Sequence, residues 1–257
     1  MGFLGQNAVM SSDTEGLKHW LAGQLKIPSS GLVVDAGCGQ GEDILAMAKA
    51  HPATSFLGLD RSDWRGAETV SDFPSNLAFQ IADLAEPMPL QDASVDALYS
   101  INVLECLADP SRFLRECGRV VRPGGQIVLG HFDWDTQTFD GEDRDLVRRM
   151  VHCFSDWKQA WMDAIDPWTG RRLRRLFAEN RQFEGEVRAF TLISTSFEPG
   201  SYGRRQAESF EALVRRDMVT REDYEAFKRF QEQAAARNGF MFSVTLFAFV
   251  GTRLLTD

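Results

Sequence analysis

The chain contains few cysteines, and their spacing matches no paired motif. Its 257 residues include four, Cys38, Cys106, Cys117 and Cys153. No two of them have the CxxC spacing of a structural zinc site or a redox pair. This argues against both kinds of site, and reduced thiols in a cytoplasmic protein are the simplest interpretation. We therefore expect no metal ion and a cytoplasmic location.

Long apolar runs and an excess of positive charge are also missing. No stretch approaches the roughly 20 apolar residues that span a bilayer, and the opening MGFLGQNAVMSSD lacks the basic and apolar parts of a secretion signal. Lys and Arg number 28 against 37 Asp and Glu, a net charge of −9. Such a chain gains no bulk attraction for a nucleic-acid backbone. We expect neither a membrane span nor a nucleic-acid partner.

Apolar runs alternate with helical patterns in the first half of the chain. Five runs indicate strands: GLVVDAG, SFLGLD, LAFQIAD, VDALYSI and GQIVLGHF. The segments TEGLKHWLAGQLK, EDILAMAKA and SRFLRECGRVV have helical spacing of their apolar residues. Near-continuous apolar strands separated by helices are typical of a parallel sheet covered on both faces. In such folds, ligands bind beyond the carboxyl ends of the strands.

The regular alternation of strand and helix patterns ends after residue 132. Residues 143–180 have a helical pattern, 186–195 indicate a strand, two charged helices cover roughly 205–237, and 240–253 form a long apolar strand. The two late strands fit an antiparallel edge of the sheet. We expect an α/β fold with a doubly wound, mostly parallel seven-stranded sheet and a helical lid inserted after the fifth strand. The expected single domain (1–257) comprises an N-terminal helical cap (1–29), a cofactor-binding core (30–132), a lid with the sixth strand (133–237) and a final edge strand (238–257).

The glycine-rich turn VVDAGCGQGED (33–43) follows the first predicted strand. Its spacing is Gly37-x-Gly39-x-Gly41, and Glu42 and Asp43 come next. Two carboxylates in the first helical turn satisfy the positive end of the helix dipole and would repel a pyrophosphate. The loop instead suits a ligand without phosphate and with positive charge. S-adenosylmethionine, with its sulfonium and ammonium groups, has both properties.

Two further acids end the next two strands. Asp60 lies about 20 residues after the glycines, where a carboxylate can accept hydrogen bonds from both ribose hydroxyls. Asp83 closes the third strand, where it could meet an adenine amino group. Each acid alone is more simply a strand-end cap or a solvated charge. Together, at consecutive strand ends, they indicate a shared ligand.

These motifs resemble the class I S-adenosylmethionine-dependent methyltransferases, in the ubiquinone/menaquinone-methyltransferase-like branch called type 11. The resemblance covers about residues 30–132. It implies that the first loop lines the methionine half of the cofactor, that Asp60 takes the ribose, that Arg61 packs beside the adenine and that Asp83 and Leu84 contact its ring. The family often has a histidine where this chain has Cys106. The implied cofactor site comprises Asp35, Gly37, Cys38, Gly39, Gly41, Asp60, Arg61, Ala82, Asp83, Leu84, Asn102 and Val103.

His131 is the candidate catalytic base. It follows the fifth predicted strand, and histidine titrates in a suitable range. A histidine hydrogen-bonded at a strand terminus explains it equally well. Asp133 and Asp135 could orient a substrate, although solvated turn acids are the simpler interpretation. The other histidines, His19, His51 and His152, fall on predicted helices and are interpreted as structural.

Aromatic and basic clusters in the lid have two interpretations each. Trp157, Trp161 and Trp168 could wall an aromatic or terpenoid pocket, or pack the lid against the sheet. The arginines of RRLRR (171–175) favour a solvated helix face, with a clamp on a substrate carboxylate or phosphate as the alternative.

The sequence predicts a methyltransferase that acts on O or N of a small-molecule acceptor by in-line displacement. The lid is expected to select that acceptor, because the core contains only cofactor motifs. Three alternatives stay open: a nicotinamide oxidoreductase, a non-catalytic S-adenosylmethionine-binding protein, and an RNA or protein methyltransferase. Both a monomer and a homodimer are compatible with the sequence.

Overall fold

The computed structural model describes residues 12–63 and 73–255, which form one seven-stranded sheet with helices on both faces. The strand order is β3-β2-β1-β4-β5-β7-β6. The strands are β1 (Leu32–Ala36), β2 (Ser55–Asp60), β3 (Leu77–Ile81), β4 (Val95–Ile101), β5 (Val121–Phe139), β6 (Phe183–Ser194) and β7 (Phe242–Arg253). The helices are α1 (Ser12–Ala22), α2 (Glu42–Ala50), α3 (Pro110–Val120), α4 (Arg144–Ser155), α5 (Thr169–Asn180), α6 (Tyr202–Ser209), α7 (Glu211–Val214) and α8 (Arg221–Ala236), with a 3₁₀ turn at Leu104–Cys106.

The sheet confirms the predicted fold class. Strands β1 to β5 pair in parallel, and β7 runs antiparallel between β5 and β6. Successive residues point to opposite faces: Val33 contributes to the apolar layer beneath α2, and Val34 to the layer beneath α3 and α5. Both side chains are fully buried. The near-continuous apolar runs therefore reflect burial on both faces of the sheet.

The prediction that the final strand forms the edge is wrong. The last strand, β7, lies inside the sheet, and β6 is the edge. Val244, Leu246 and Ala248 of β7 are fully buried, whereas most of β6 is exposed, including Glu184 and Glu186. Charged residues on an exposed edge strand hinder its pairing with another chain. Strand β6 contains such residues, as its position at the edge requires.

The region after residue 132 contains less lid than predicted. Strand β5 continues to Phe139, and the predicted helix over 143–180 is two helices separated by the loop 156–168. Helix α5 belongs to the sheet layer, because its Leu173 and Phe177 are buried against the core, and Phe177 stacks on Phe249 of β7 with ring centroids 3.6 Å apart. The lid therefore consists of α4, the loop 156–168 and the helices α6 to α8.

The N-terminal helix is shorter than predicted. Helix α1 ends at Ala22, and its Leu17 and Leu21 pack into the same apolar cluster as α4 and α6. The first eleven residues of the predicted cap (1–29) lie outside the described residues. Helix α1 thus joins the lid in covering the carboxyl-end side of the sheet.

Candidate active site

A cavity of about 430 Å³ lies at the carboxyl ends of the parallel strands. Strands β1 and β4 are neighbours here, where the chain order of the sheet reverses, and this is the position at which doubly wound sheets bind ligands. Eleven of the twelve residues predicted for the cofactor site line this cavity, and Ala82 does not. The eleven are Asp35, Gly37, Cys38, Gly39, Gly41, Asp60, Arg61, Asp83, Leu84, Asn102 and Val103.

The glycine loop has the backbone geometry that its sequence requires. Gly37 has φ of +87°, and a Cβ atom there would collide with the side chain of Val103 in the loop after β4. Gly41 has φ of +78° and precedes the first turn of α2. The loops after β1 and β4 can therefore approach each other only because position 37 has no side chain.

Three acids, Asp35, Asp43 and Asp60, lie close to one another at this end of the cavity. Asp60 accepts hydrogen bonds from the backbone N–H of Gly39 (2.9 Å) and Ser62 (3.3 Å), which fixes its orientation. Burial raises the pKa of Asp35 well above its ordinary value, and Asp43 and Asp60 raise it further. A positively charged ligand relieves the repulsion in such a cluster.

The two acids at the start of α2 have different environments. Glu42 forms an ion pair with Lys18 of α1, with 3.1 Å between Nζ and Oε2. Asp43 accepts a hydrogen bond from the Tyr99 hydroxyl at 3.3 Å, and burial raises the pKa of Asp43. All four side chains line the cavity. Lys18 of helix α1 thus neutralises Glu42 at the cavity wall, whereas Asp43 interacts with Tyr99 and lies beside Asp35.

Arg61 connects the cofactor loops to the lid. Its guanidinium lies 3.3 Å from Asp83 and 3.2 Å from Asp163, and it donates a hydrogen bond of 2.7 Å to the carbonyl oxygen of Trp161. The resemblance implied an arginine packed beside the adenine. The structure adds a cross-link between the end of β2 and the loop 156–168.

His131 is not on the cavity wall. Its side chain is fully buried, and Nδ1 donates to the backbone oxygen of Phe132 at 2.6 Å. Nε2 has no hydrogen-bond partner among the described residues, and burial lowers the pKa of His131 to about 4. A base that reacts with an acceptor must reach it, and His131 is separated from the cavity.

The ionisable residue that does line the cavity at this point is Glu105. Its carboxylate accepts a hydrogen bond from Trp134 Nε1 at 2.9 Å and lies 3.7 Å from His131 Nε2. Burial raises the pKa of Glu105 to about 8. The sequence analysis missed this residue. The available signal was one acid inside the apolar run NVLECL, directly after the fourth strand.

Five neighbouring aromatic rings form another part of the cavity wall. In order they are Tyr202, Phe132, Trp134, Phe154 and Trp157, with successive ring centroids 6.3, 5.1, 5.8 and 6.3 Å apart. All five line the cavity. We call this set the aromatic wall. It brings residues of α6, β5, α4 and the loop 156–168 to one surface.

The three lid tryptophans have different roles. Trp157 and Trp161 line the cavity, which favours the pocket interpretation for these two. Trp168 does not line it, is 42% exposed and donates its indole N–H to Asp135. Its ring also lies beneath the guanidinium of Arg171.

The acids after β5 and the arginines of α5 pair with each other. Asp133 is fully buried and ion-paired with Arg171, and Asp166 is paired with Arg172. None of the four lines the cavity. Asp133 therefore anchors α5 to the sheet. Arg171 and Arg172 form neither a fully solvated helix face nor a clamp on a substrate in the cavity.

Residues 34–129 match the sequence model of a methyltransferase domain. This segment contains the glycine loop, Asp60, Asp83 and Glu105, all on the cavity wall. This segment is a methyltransferase domain of the class I, type 11 kind. S-adenosylmethionine is the cofactor of this family, and a structural neighbour, a geranyl diphosphate methyltransferase, was solved in complex with it.

Known proteins share the methyltransferase domain over different lengths. An uncharacterized 37.1 kDa protein in transposon TN4556 of Streptomyces fradiae is 36% identical over 48% of this chain and 36% of its own length. The 27-O-demethylrifamycin SV methyltransferase of Amycolatopsis mediterranei is 31% identical over 49% of this chain and 48% of its own length. The YcgJ protein of Bacillus subtilis superposes with a TM-score of 0.61 over 94% of this chain and 100% of its own, at 15% identity.

The chain thus spans about half or less of the length of these two curated relatives. The structural likeness to YcgJ at 15% identity shows a shared fold. Within residues 12–63 and 73–255, no group of three or more His, Cys, Asp or Glu side chains is arranged to hold a metal ion. Over the same residues, no helix is long and apolar enough to cross a bilayer.

Proposed function

We propose that the protein transfers the methyl group of S-adenosylmethionine to an oxygen or nitrogen atom of a small acceptor. One observation supports this most: a single cavity joins the acidic cofactor loops to the aromatic wall. The cofactor residues fit a cationic sulfonium, because Asp35, Asp43 and Asp60 interact unfavourably with one another without it. The aromatic wall supplies apolar surface for an acceptor.

The chemistry demands mainly positioning. The methyl group is already activated by the sulfonium, and the leaving thioether is neutral. The protein must hold the acceptor atom in line with the S–CH₃ bond and exclude water. The aromatic wall and α1 are proposed to do both, since each contributes buried side chains to the cavity.

Glu105 is the proposed proton acceptor in place of His131. When a hydroxyl or a protonated amine attacks, its proton must leave, and Glu105 is a buried carboxyl on the cavity wall. The pKa of about 8 makes it a stronger base than an ordinary carboxylate. His131 lies behind Glu105, with 3.7 Å between Nε2 and the carboxyl oxygen Oε2.

The names of relatives support a small acceptor. One relative is a 27-O-demethylrifamycin SV methyltransferase, another a malonyl-[acyl-carrier protein] O-methyltransferase, and a structural neighbour is a geranyl diphosphate methyltransferase. We propose the same general class here, without nucleic acid as a partner. We also propose a cytoplasmic location, since the four cysteines, all within the described residues, form no disulfide bond.

The test is a two-step measurement on the full chain. Calorimetry with S-adenosylmethionine and with NADH is expected to show binding of the first alone. A panel of small hydroxyl and amine acceptors is then screened for release of S-adenosylhomocysteine. Turnover with at least one acceptor supports the proposal. Cofactor binding without turnover on any small acceptor, or turnover with tRNA or peptides alone, contradicts it.

A further inference from the structure

Building on the proposed function, we infer that the acceptor has a carboxylate group and that Arg205 binds it. Arg205 lies on α6, in the lid, and its side chain lines the cavity. Its guanidinium carbon lies 5.8 Å from the ring centroid of Tyr202, the first member of the aromatic wall. A cation therefore lies at one end of an otherwise apolar surface.

Arg205 differs from the other two cations of the cavity in having no acidic partner. Lys18 is paired with Glu42, and Arg61 with Asp83 and Asp163. Arg205 forms neither an ion pair nor a side-chain hydrogen bond with any other residue that the structure describes. A half-buried guanidinium without a protein carboxylate leaves its fork of N–H donors available to a ligand.

A second group on the same cavity wall also lacks a partner. Ser155, the last residue of α4, is 1% exposed, and its Oγ atom has no hydrogen-bond partner within the described part of the chain. Buried hydroxyls normally form hydrogen bonds, since an unsatisfied one is costly. An acceptor with polar atoms would supply a hydrogen-bond partner for the Ser155 hydroxyl as well as for the Arg205 guanidinium.

The charge pattern of the cavity favours a singly charged anion. The loops after β1 to β4 contribute several carboxyl groups and one cation, Arg61, which is paired with Asp83 and Asp163. An anionic group is therefore less favoured there than beside Arg205. The planar guanidinium matches a carboxylate through two parallel hydrogen bonds. A diphosphate would bring more negative charge than one unpaired arginine neutralises. Binding at Arg205 thus orients the acceptor within the cavity.

The experiment uses the full chain saturated with S-adenosylhomocysteine. A series of phenylalkanoates with two to eight methylene groups, and the matching phenylalkanamides, is titrated by calorimetry. At least one carboxylate is expected to bind about 10- to 100-fold more tightly than its amide, the range that a charge-assisted hydrogen bond predicts. Arg205→Gln should abolish this preference, and Arg205→Lys should keep part of it.

Arg204 provides the matched control. It neighbours Arg205 on α6, but it is paired with Glu208 and does not line the cavity. Arg204→Gln should therefore bind the probes as the wild type does. The inference fails if no carboxylate binds more tightly than its amide in the wild type, a result that needs no variant.

The cofactor has a carboxylate of its own, and a separate arm distinguishes it from that of the acceptor. The affinity for S-adenosylhomocysteine is measured first in the wild type and in Arg205→Gln, and we expect no change. If the variant loses cofactor affinity, Arg205 holds the methionine carboxylate and the inference is wrong. If the wild type does not bind the cofactor at all, the proposed function fails as well.

Discussion

The two ends of the cavity differ in how the chain builds them. The cofactor end consists of loops that each follow one parallel strand, so Asp35, Gly37, Asp60 and Asp83 come together as soon as the sheet forms. The acceptor end combines α1, the extension of β5, α4, the loop 156–168 and α6. One end depends on strand order, and the other depends on how separate helices pack.

The chemistry of the two ends differs in the same way. The cofactor end is acidic and rigidly hydrogen-bonded, as Asp60 shows by accepting two backbone N–H groups. The acceptor end is aromatic, with Arg205 as its unpaired cation among the described residues. Such a division would let one cofactor site serve different acceptors when the lid changes, because Asp60 is held by backbone groups of the loops themselves. Arg61 is the cross-link from these loops to the lid. Four changes test this separation.

The largest effect is expected at Glu105, which lies where the two ends meet. Glu105→Gln keeps the size of the side chain but removes the base, so kcat should fall about 100-fold or more. Because the basic form is required and the pKa is about 8, wild-type kcat should rise with pH up to about 8 and then level off. The measurement is S-adenosylhomocysteine release between pH 6 and pH 9.

Glu86→Gln is the control for this change, since Glu86 is exposed and paired with Arg112 outside the cavity. It should retain wild-type kcat and the same pH profile. If Glu105→Gln turns over at the wild-type rate, the acceptor needs no base. This would be the case if the methylated atom were a carboxylate oxygen, which has no proton to lose.

Asp60→Ala should act on the cofactor end alone. The carboxylate that is proposed to accept both ribose hydroxyls is removed, so S-adenosylmethionine should bind about 30- to 100-fold more weakly. Calorimetry measures this, and Asp92→Ala, which changes an exposed acid paired with Arg119, should bind normally. Normal affinity in Asp60→Ala would mean that other residues hold the ribose.

Trp157→Ala should act on the acceptor end alone. Removing this ring shortens the aromatic wall, so the KM for the acceptor should rise about tenfold while cofactor affinity stays unchanged. Trp168→Ala is the control, because Trp168 is exposed and lies off the cavity wall. Equal effects of the two substitutions would argue against a substrate-selecting wall.

The smallest effect is expected at Arg61, which connects the two ends. The side chains of its ion pairs with Asp83 and Asp163 are between one-third and one-half exposed, so solvent weakens these pairs. Arg61→Gln should therefore change the KM values about fivefold or less. Hydrogen exchange in the loop 156–168 should increase in this variant, and Arg112→Gln should leave it unchanged. A loop that stays equally protected would show that Arg61 does not fasten it.

Much of the cofactor end could be predicted because its residues are adjacent in sequence to the strands that position them. The alternation of strands and helices predicted the fold class, and the glycine spacing and the acids at the ends of β2 and β3 indicated Gly37, Gly39, Gly41, Asp60 and Asp83. The resemblance to the type 11 methyltransferases implied the other six cavity residues. The physical reason is local: in a parallel sheet, the residue after each strand reaches the same edge.

Only the tertiary structure decided the rest. The position of the last strand depended on which of the two late strands could be buried on both faces. Strand β7 is mostly apolar and lies inside the sheet, whereas β6 contains charged residues and forms the edge. Whether His131 or Glu105 faces the cavity depended on the 3₁₀ turn after β4 and on the hydrogen bond from Trp134. The aromatic wall and the unpaired Arg205 come from segments up to 73 residues apart in the chain, and their proximity arises from packing that no local pattern encodes.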